Sequence, residues 1–156
     1  MPGVGKLLDF LAGLGEVKEV SQAPGTAGHA SMVQLGTEVS AGDKQEFFWL
    51  VLAGEFEVWT KRREEGEVPI KIKRSGEFFG EIVAFGGASA RTATVRLKSE
   101  KGFLLQMSAA RVRVAAIAGN PHAVELILAL LRAECQRVEQ MDGIVAGLEA
   151  RIAAGA

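Results

Sequence analysis

A single cysteine, two histidines and no long apolar run bound what this 156-residue chain can be. With Cys135 alone there can be no internal disulfide, which fits a reducing compartment, and the cytoplasm is the expected location. His29 and His122 are too few, and too differently placed, to build a His-rich metal centre of the kind a cupin-like enzyme needs, so no metal site is expected. Cys135 is expected to pack as a small apolar residue on a helix face and His122 to cap or solvate a helix start. No base can be assigned to Cys135, so no nucleophile–base pair can be assembled; catalytic residues are expected to be absent and the chain is not read as an enzyme. Nothing approaches the ~18 consecutive apolar residues of a membrane span. The formal net charge of -1 gives no broad field to attract nucleic acid or anionic lipid, so neither is an expected partner. The opening stretch, MPGVGKLLDFLAGLG, is a poor signal peptide, having one Lys and an apolar patch broken by Gly13 and Gly15. Its GVGK echoes a phosphate loop but lacks both a preceding strand and a Ser or Thr after Lys6.

What is present is the composition of one globular domain, taken as 1–156, with 48% apolar and 24% charged residues. Lys6 to Leu14 reads as a short helix with Leu7, Leu8, Leu11 and Leu14 on one side, ended by Gly15. From about 17 to 107 the texture is one of short apolar or alternating runs. Strands are expected at Val17–Ser21, Ser31–Leu35, Glu38–Ser40, Glu46–Ala53, Glu55–Thr60, Val68–Arg74, Thr92–Leu97 and Phe103–Met107. Turn residues separate them, and the 19 glycines suit a turn-rich antiparallel roll better than a parallel sheet. In IKIKR, Lys71, Lys73 and Arg74 are expected to face water, and KRREEG is a solvated hairpin tip. From about 108 to 153 the chain turns helical. Ser108 is the expected N-cap of a first helix ended by Gly119, and Asn120-Pro121 opens a second, long and amphipathic one. The expected fold is therefore mainly β with flanking α: an antiparallel β-roll or jelly roll with a short N-terminal helix and a long C-terminal one.

The stretch EFFGEIVAFGGASARTATV is unusual for its sparse charge: Glu81 and Arg91 stand alone around a glycine-fenced apolar scrap. A carboxylate accepts from hydroxyls, and a guanidinium grips phosphate through parallel donors. Gly80 permits close approach to the backbone, and the start of the Ile82 turn aims N–H groups outward. That set suits a ligand with a hydroxyl at one end and a phosphate at the other, although spacing alone is equally met by an exposed Glu and an exposed Arg flanking a loop.

FFGEIVAFGGASARTATV resembles the phosphate-binding cassette of cyclic-nucleotide-binding domains. GTEVSAGDKQEFFWLVLAGEFEVW is similar to the glycine-marked strand pair upstream of that cassette, and NPHAVELILALLRAECQRVEQ to the helix that closes the family's pocket. The loop length looks most like that of the catabolite-activator branch. The resemblance implies a non-catalytic sensor of cAMP or cGMP, without a cofactor, whose C-terminal helix moves in response. In it Glu81 accepts the ribose 2′-hydroxyl, Gly80 and Ile82 lie at the backbone that meets the ligand, Arg91 and Thr92 hold the cyclic phosphate, and Ala93 lets the strand pass close by. Alignment from Asn120-Pro121 puts Val138 and Glu139 beside the base. Val83 and Ala90 depart from the family's usual small residue and Pro. The alternative is a protein-interaction or scaffold module that keeps the fold without binding nucleotide. Relatives often continue into a DNA-binding domain; here the sequence reaches Ala156 without room for one, which again argues against nucleic acid and leaves an unknown downstream protein. Leu131, Val138, Met141, Val145, Leu148 and Ile152 recur at helical spacing, as a homodimer seam or as one helix packed on its own barrel would. Gly143 and Gly147 weaken that helix, or mark a break near Asp142-Gly143.

Overall fold

Two strand-length runs, FFWLVLA in Phe47–Ala53 (β3) and FLLQM within Lys101–Ser108 (β8), lack the apolar–polar alternation of a strand with one wet face. Successive side chains in a strand point to opposite faces, so both faces of these strands must be covered. The computed structural model, which describes residues 9–11, 13–21, 32–33, 47–86 and 93–155, shows how. β3 and β8 pair antiparallel in the middle of a sheet ordered β1-β8-β3-β6, where β1 is Gly15–Ser21 and β6 is Phe78–Phe79. One face of this sheet packs on a second antiparallel sheet and the other on helices.

The second sheet is ordered β2-β7-β4-β5, with β2 at Met32–Val33, β4 at Phe56–Arg62, β5 at Gly66–Lys73 and β7 at Ala93–Leu97. Between the sheets lie Trp49 and Val51 of β3, Phe56 and Val58 of β4, Val95 and Leu97 of β7, and Leu104 of β8. On the helical side, Phe48, Leu105 and Met107 meet Ala109 and Val112 of α3 (Ala109–Ile117) and Leu126 and Leu130 of α4 (Pro121–Ala153). Leu11 and Leu14 of α1, in which residues 9–11 and 13–14 are described as helical, join this second cluster. Gln106 of β8 shares the face of Leu104 and accepts a hydrogen bond from Trp49 Nε1 at 3.1 Å. At Gly102 a Cβ would sit 2.7 Å from the Phe56 ring, so only glycine lets β8 pass that buried aromatic.

The caps fall where their residue types require. The Ser108 hydroxyl accepts from Arg111 N at 3.3 Å, and Asn120 Oδ1 accepts from the backbone of His122 and Ala123, with Pro121 at the first helical position. α4 then runs 33 residues through Gly143 and Gly147 without a break. The hairpin tip between β4 and β5 is exposed and carries an Arg62–Glu65 pair at 3.3 Å.

Four expectations need revision. β6 was not anticipated, because two residues are too short to show a period; it forms because Trp49 and Leu50 of β3 pair with Phe79 and Phe78. Lys73 does not face water: its side chain is 14% exposed, since β5 turns it toward α4. Cys135 is exposed on α4 rather than packed. The Nδ1 of His122 is buried beside Phe10, 3.8 Å from the Glu125 carboxylate, rather than solvated. The strand expected at Glu38–Ser40 and the loop residue His29 lie outside the described residues, as do all but Met32 and Val33 of Ser31–Leu35.

Phe48 is fully buried and packs against Phe85 at 5.1 Å and Phe78 at 6.3 Å between ring centres, joining β3 to the helical layer. Phe48→Ala is expected to cost about 3–5 kcal/mol, lowering Tm by roughly 6–20 °C; a thermal melt followed by circular dichroism measures it.

Candidate ligand-binding site

The site begins where β6 turns into α2 (Glu81–Gly86). Gly80 has φ of 79°, in the left-handed region that L side chains avoid. That conformation turns the chain from β6 into α2, whose first turn is closed by Ala84 N donating to Gly80 O at 3.2 Å. α2 is held from behind: Ala84 is buried in the helical core, Phe85 packs against Phe48 with its ring tilted, and Arg113 of α3 donates to Ala84 O at 3.2 Å while lying over the Phe85 ring. The apolar residues of this scrap therefore anchor one side, and Glu81 points to the other.

Glu81 is 7% exposed and lines an open-sided cavity of about 500 Å3 between β5, the β5–β6 turn and α4. The turn is tied to β3 by Val51 N to Glu77 O and Gly76 N to Val51 O, each 2.9 Å, and by Ser75 Oγ to Leu52 O, also 2.9 Å. From β5, Lys71 and Lys73 reach Glu77 at 3.8 and 4.0 Å. From α4, Glu134 and Arg137 face inward and pair at 2.9 Å. Glu81 and Glu134 both line this cavity. The neighbouring Glu81 carboxyl, then burial, push the Glu134 carboxyl up to about 7, against Arg137 and Lys73, which pull it down. Burial, and after it the Lys71 charge, lower the Lys73 ammonium below its ordinary value. The cavity is thus polar and charge-dense, with apolar backing from Phe78 and Leu130. Among the described residues no cluster of His, Cys, Asp and Glu could hold a metal ion, and no helix is long and apolar enough to cross a membrane.

A model of the cyclic nucleotide-binding domain family matches residues 39–116, half of the 156-residue chain. The chain belongs to this family. Its fold is also that of several solved structures. The Thermus thermophilus catabolite activator protein superposes with a TM-score of 0.64 at 15% identity, over 90% of this chain and 59% of that one. The c-di-GMP responsive global regulator CLP of Xanthomonas campestris gives 0.65 at 19%, over 86% of this chain and 58% of that one. A cyclic nucleotide-binding domain from Methylobacillus flagellatus KT gives 0.67 at 16%, over 86% and 68%. The chain therefore spans less than two thirds of the length of the first two. No curated protein matches it in sequence.

Within the cyclic-nucleotide-binding frame, Gly80 and Glu81 occupy the corner at the cavity, and Ile82, 45% exposed, follows on the surface of α2. Ala93 opens β7 opposite Thr60 and is partly buried against the inter-sheet core. Arg91, Thr92 and Ala90 lie outside the described residues, as does the side chain of Val83. Val138 and Glu139 are not brought to the cavity. An α-helix turns about 100° per residue, so with Ala133, Glu134 and Arg137 facing inward the next two residues rotate away; Val138 is 55% exposed, on the apolar stripe. In their place α4 presents Glu134 and Arg137, which sequence reasoning did not single out. Their only trace was a Glu and an Arg three apart, with Glu134 one turn before Val138.

Any L side chain at Gly80 would have to adopt the left-handed conformation, at a cost of roughly 1–2 kcal/mol. Gly80→Ala should lower Tm by about 2–8 °C and is checked by differential scanning calorimetry.

Proposed function

We propose that this domain is a non-catalytic cytoplasmic sensor that binds a cyclic mononucleotide, cAMP or cGMP, in the cavity between the cassette and α4, with movement of α4 as its output. The observation that carries the reading is the Gly80–Glu81 corner: a left-handed glycine followed by a buried carboxylate aimed into a cavity of about 500 Å3, inside the segment matched to the family. In this reading the ribose 2′-hydroxyl donates to Glu81, Arg91 pairs with the cyclic phosphate, Thr92 assists it, and Gly80, Ile82 and Ala93 leave room for the sugar phosphate. A buried neutral hydrogen bond contributes about 0.5–1.5 kcal/mol net, so discrimination between the two bases is expected to be roughly tenfold or less, with cAMP favoured.

A ligand at 100 times its Kd stabilises the native state by about 2.7 kcal/mol, a rise in Tm on the order of 5–10 °C. Thermal shift with cAMP, cGMP and c-di-GMP, the last because CLP responds to it, tests the reading; no shift with either mononucleotide at millimolar concentration sinks it. By calorimetry Arg91→Ala should lose about 2–5 kcal/mol of binding, and Glu81→Ala less.

We further propose that α4 pairs with α4 of a second copy. Val124, Leu131, Val138, Val145 and Ile152 recur every seven residues, are all exposed, and lie on the face away from the cavity. Val138→Glu combined with Val145→Glu should turn a dimer into a folded monomer in sedimentation; a parent chain already monomeric at high concentration refutes the seam.

A further inference from the structure

The cavity is lined by more cations than carboxylates, although the chain as a whole is slightly acidic. Lys71 and Lys73 of β5 share one carboxylate, Glu77, at 3.8 and 4.0 Å. Both contacts exceed the ~3.2 Å of an N–H···O hydrogen bond, and neither ammonium has a hydrogen bond to a described residue. Lys73 is in this position while only 14% exposed. On the opposite wall Arg137 pairs with Glu134 at 2.9 Å. Arg132 of α4 is exposed, lines the same space and has no ion-pair partner among the described residues.

A cyclic mononucleotide brings one negative charge, and in the reading above Arg91 pairs with it. The four cations Lys71, Lys73, Arg132 and Arg137 then face three carboxylates, of which Glu81 is taken up by the ribose. An uncharged base cannot compensate the positive charge left over. Resting on the reading of this cavity as the nucleotide site, we propose that Lys73, with Lys71 and Arg132, forms an anion subsite that takes a second phosphate group. The preferred ligand then carries two phosphates, as a cyclic dinucleotide or a nucleoside diphosphate does.

The chemistry suits phosphate oxygens. Ammonium and guanidinium groups offer donors and no acceptor, and β5 and α4 present them from two walls of one space. Burying an ammonium without a close partner is costly, and a ligand oxygen within hydrogen-bond distance of Lys73 offsets that cost. Burial, and after it the Lys71 charge, lower the Lys73 ammonium despite Glu81 and Glu77, in keeping with a cation short of anions. Glu134, held up to about 7, carries less than a full charge near neutrality, which adds to the positive surplus. At about 500 Å3 the space lies within the ~300–1,000 Å3 usual for small-ligand sites, and its open side lets part of a larger ligand extend outward.

Calorimetry compares cAMP and cGMP with c-di-GMP and GDP in the parent, in Lys73→Met and in Arg132→Gln. The first variant removes the charge of Lys73 while keeping an unbranched apolar stem. The second changes an exposed residue, so it folds whether or not the first does. In the parent at least one two-phosphate ligand should bind about 10- to 100-fold more tightly than cGMP, the gain from a charged hydrogen bond, and each variant should bring that ratio toward one. A gain with c-di-GMP alone assigns the second phosphate to a cyclic dinucleotide; a gain with GDP alone assigns it to a nucleoside diphosphate. A ratio near one for both ligands in the parent, or a ratio unchanged in every variant that folds, overturns the subsite, and continued binding of cAMP or cGMP then leaves the mononucleotide reading standing. Binding of a two-phosphate ligand that depends on Lys73 or Arg132, with neither mononucleotide bound, upholds the subsite and overturns that reading. No binding by any of the four ligands overturns both.

Discussion

Every layer of the protein is held through the antiparallel pairing of β3 with β8, two strands buried on both faces. Their alternate residues enter different cores: Trp49, Val51 and Leu104 go to the space between the sheets, Phe48, Leu105 and Met107 to the helical side. The hydrophobic effect thus acts twice on the same backbone, and neither core can loosen without exposing one face of the pair. The β5–β6 turn hangs from β3 by backbone hydrogen bonds, and α2 rests on Phe48 through Phe85. The candidate site is a consequence of this arrangement, because Glu81 and Glu77 extend from elements whose other sides are anchored to β3.

The cavity concentrates charge in a way the composition conceals. A chain with net charge of -1 brings four cations and three carboxylates to the lining of one cavity. Burial raises the cost of each charge unless it is paired, and the arrangement meets that cost by partnering Lys71 and Lys73 with Glu77, and Arg137 with Glu134. Glu81 lies within electrostatic reach of the Lys73 ammonium and of the Glu134 carboxyl.

The two faces of α4 divide its work. One carries Leu126 and Leu130 into the core and then Glu134 and Arg137 into the cavity; the other exposes an apolar stripe at seven-residue intervals. Because a helix is stiff over several turns, a change at Glu134 and a partner on the stripe would act on the same rod. The Gly143 and Gly147 positions do not interrupt it.

Local chemistry sufficed for much of this protein. The turn glycines, the caps at Ser108 and Asn120, the runs of β3 and β8 and the FFGE corner are short-range patterns, each with a conformational meaning within a few residues, and seven of the eight described strands were legible from them. The family was legible too, because its cassette is contiguous. Tertiary structure decided what depends on contacts between distant segments. Phe78–Phe79 is a strand only because β3 offers an edge, and Lys73 is covered only because α4 lies over β5. Val138 and Glu139 lie at plausible positions by alignment, yet the rotation of α4, set by Leu126 and Leu130 packing into the core, turns Glu134 and Arg137 inward instead. That Glu81 and Glu134 line one cavity has no trace in either segment alone, since only packing lays α4 beside the cassette.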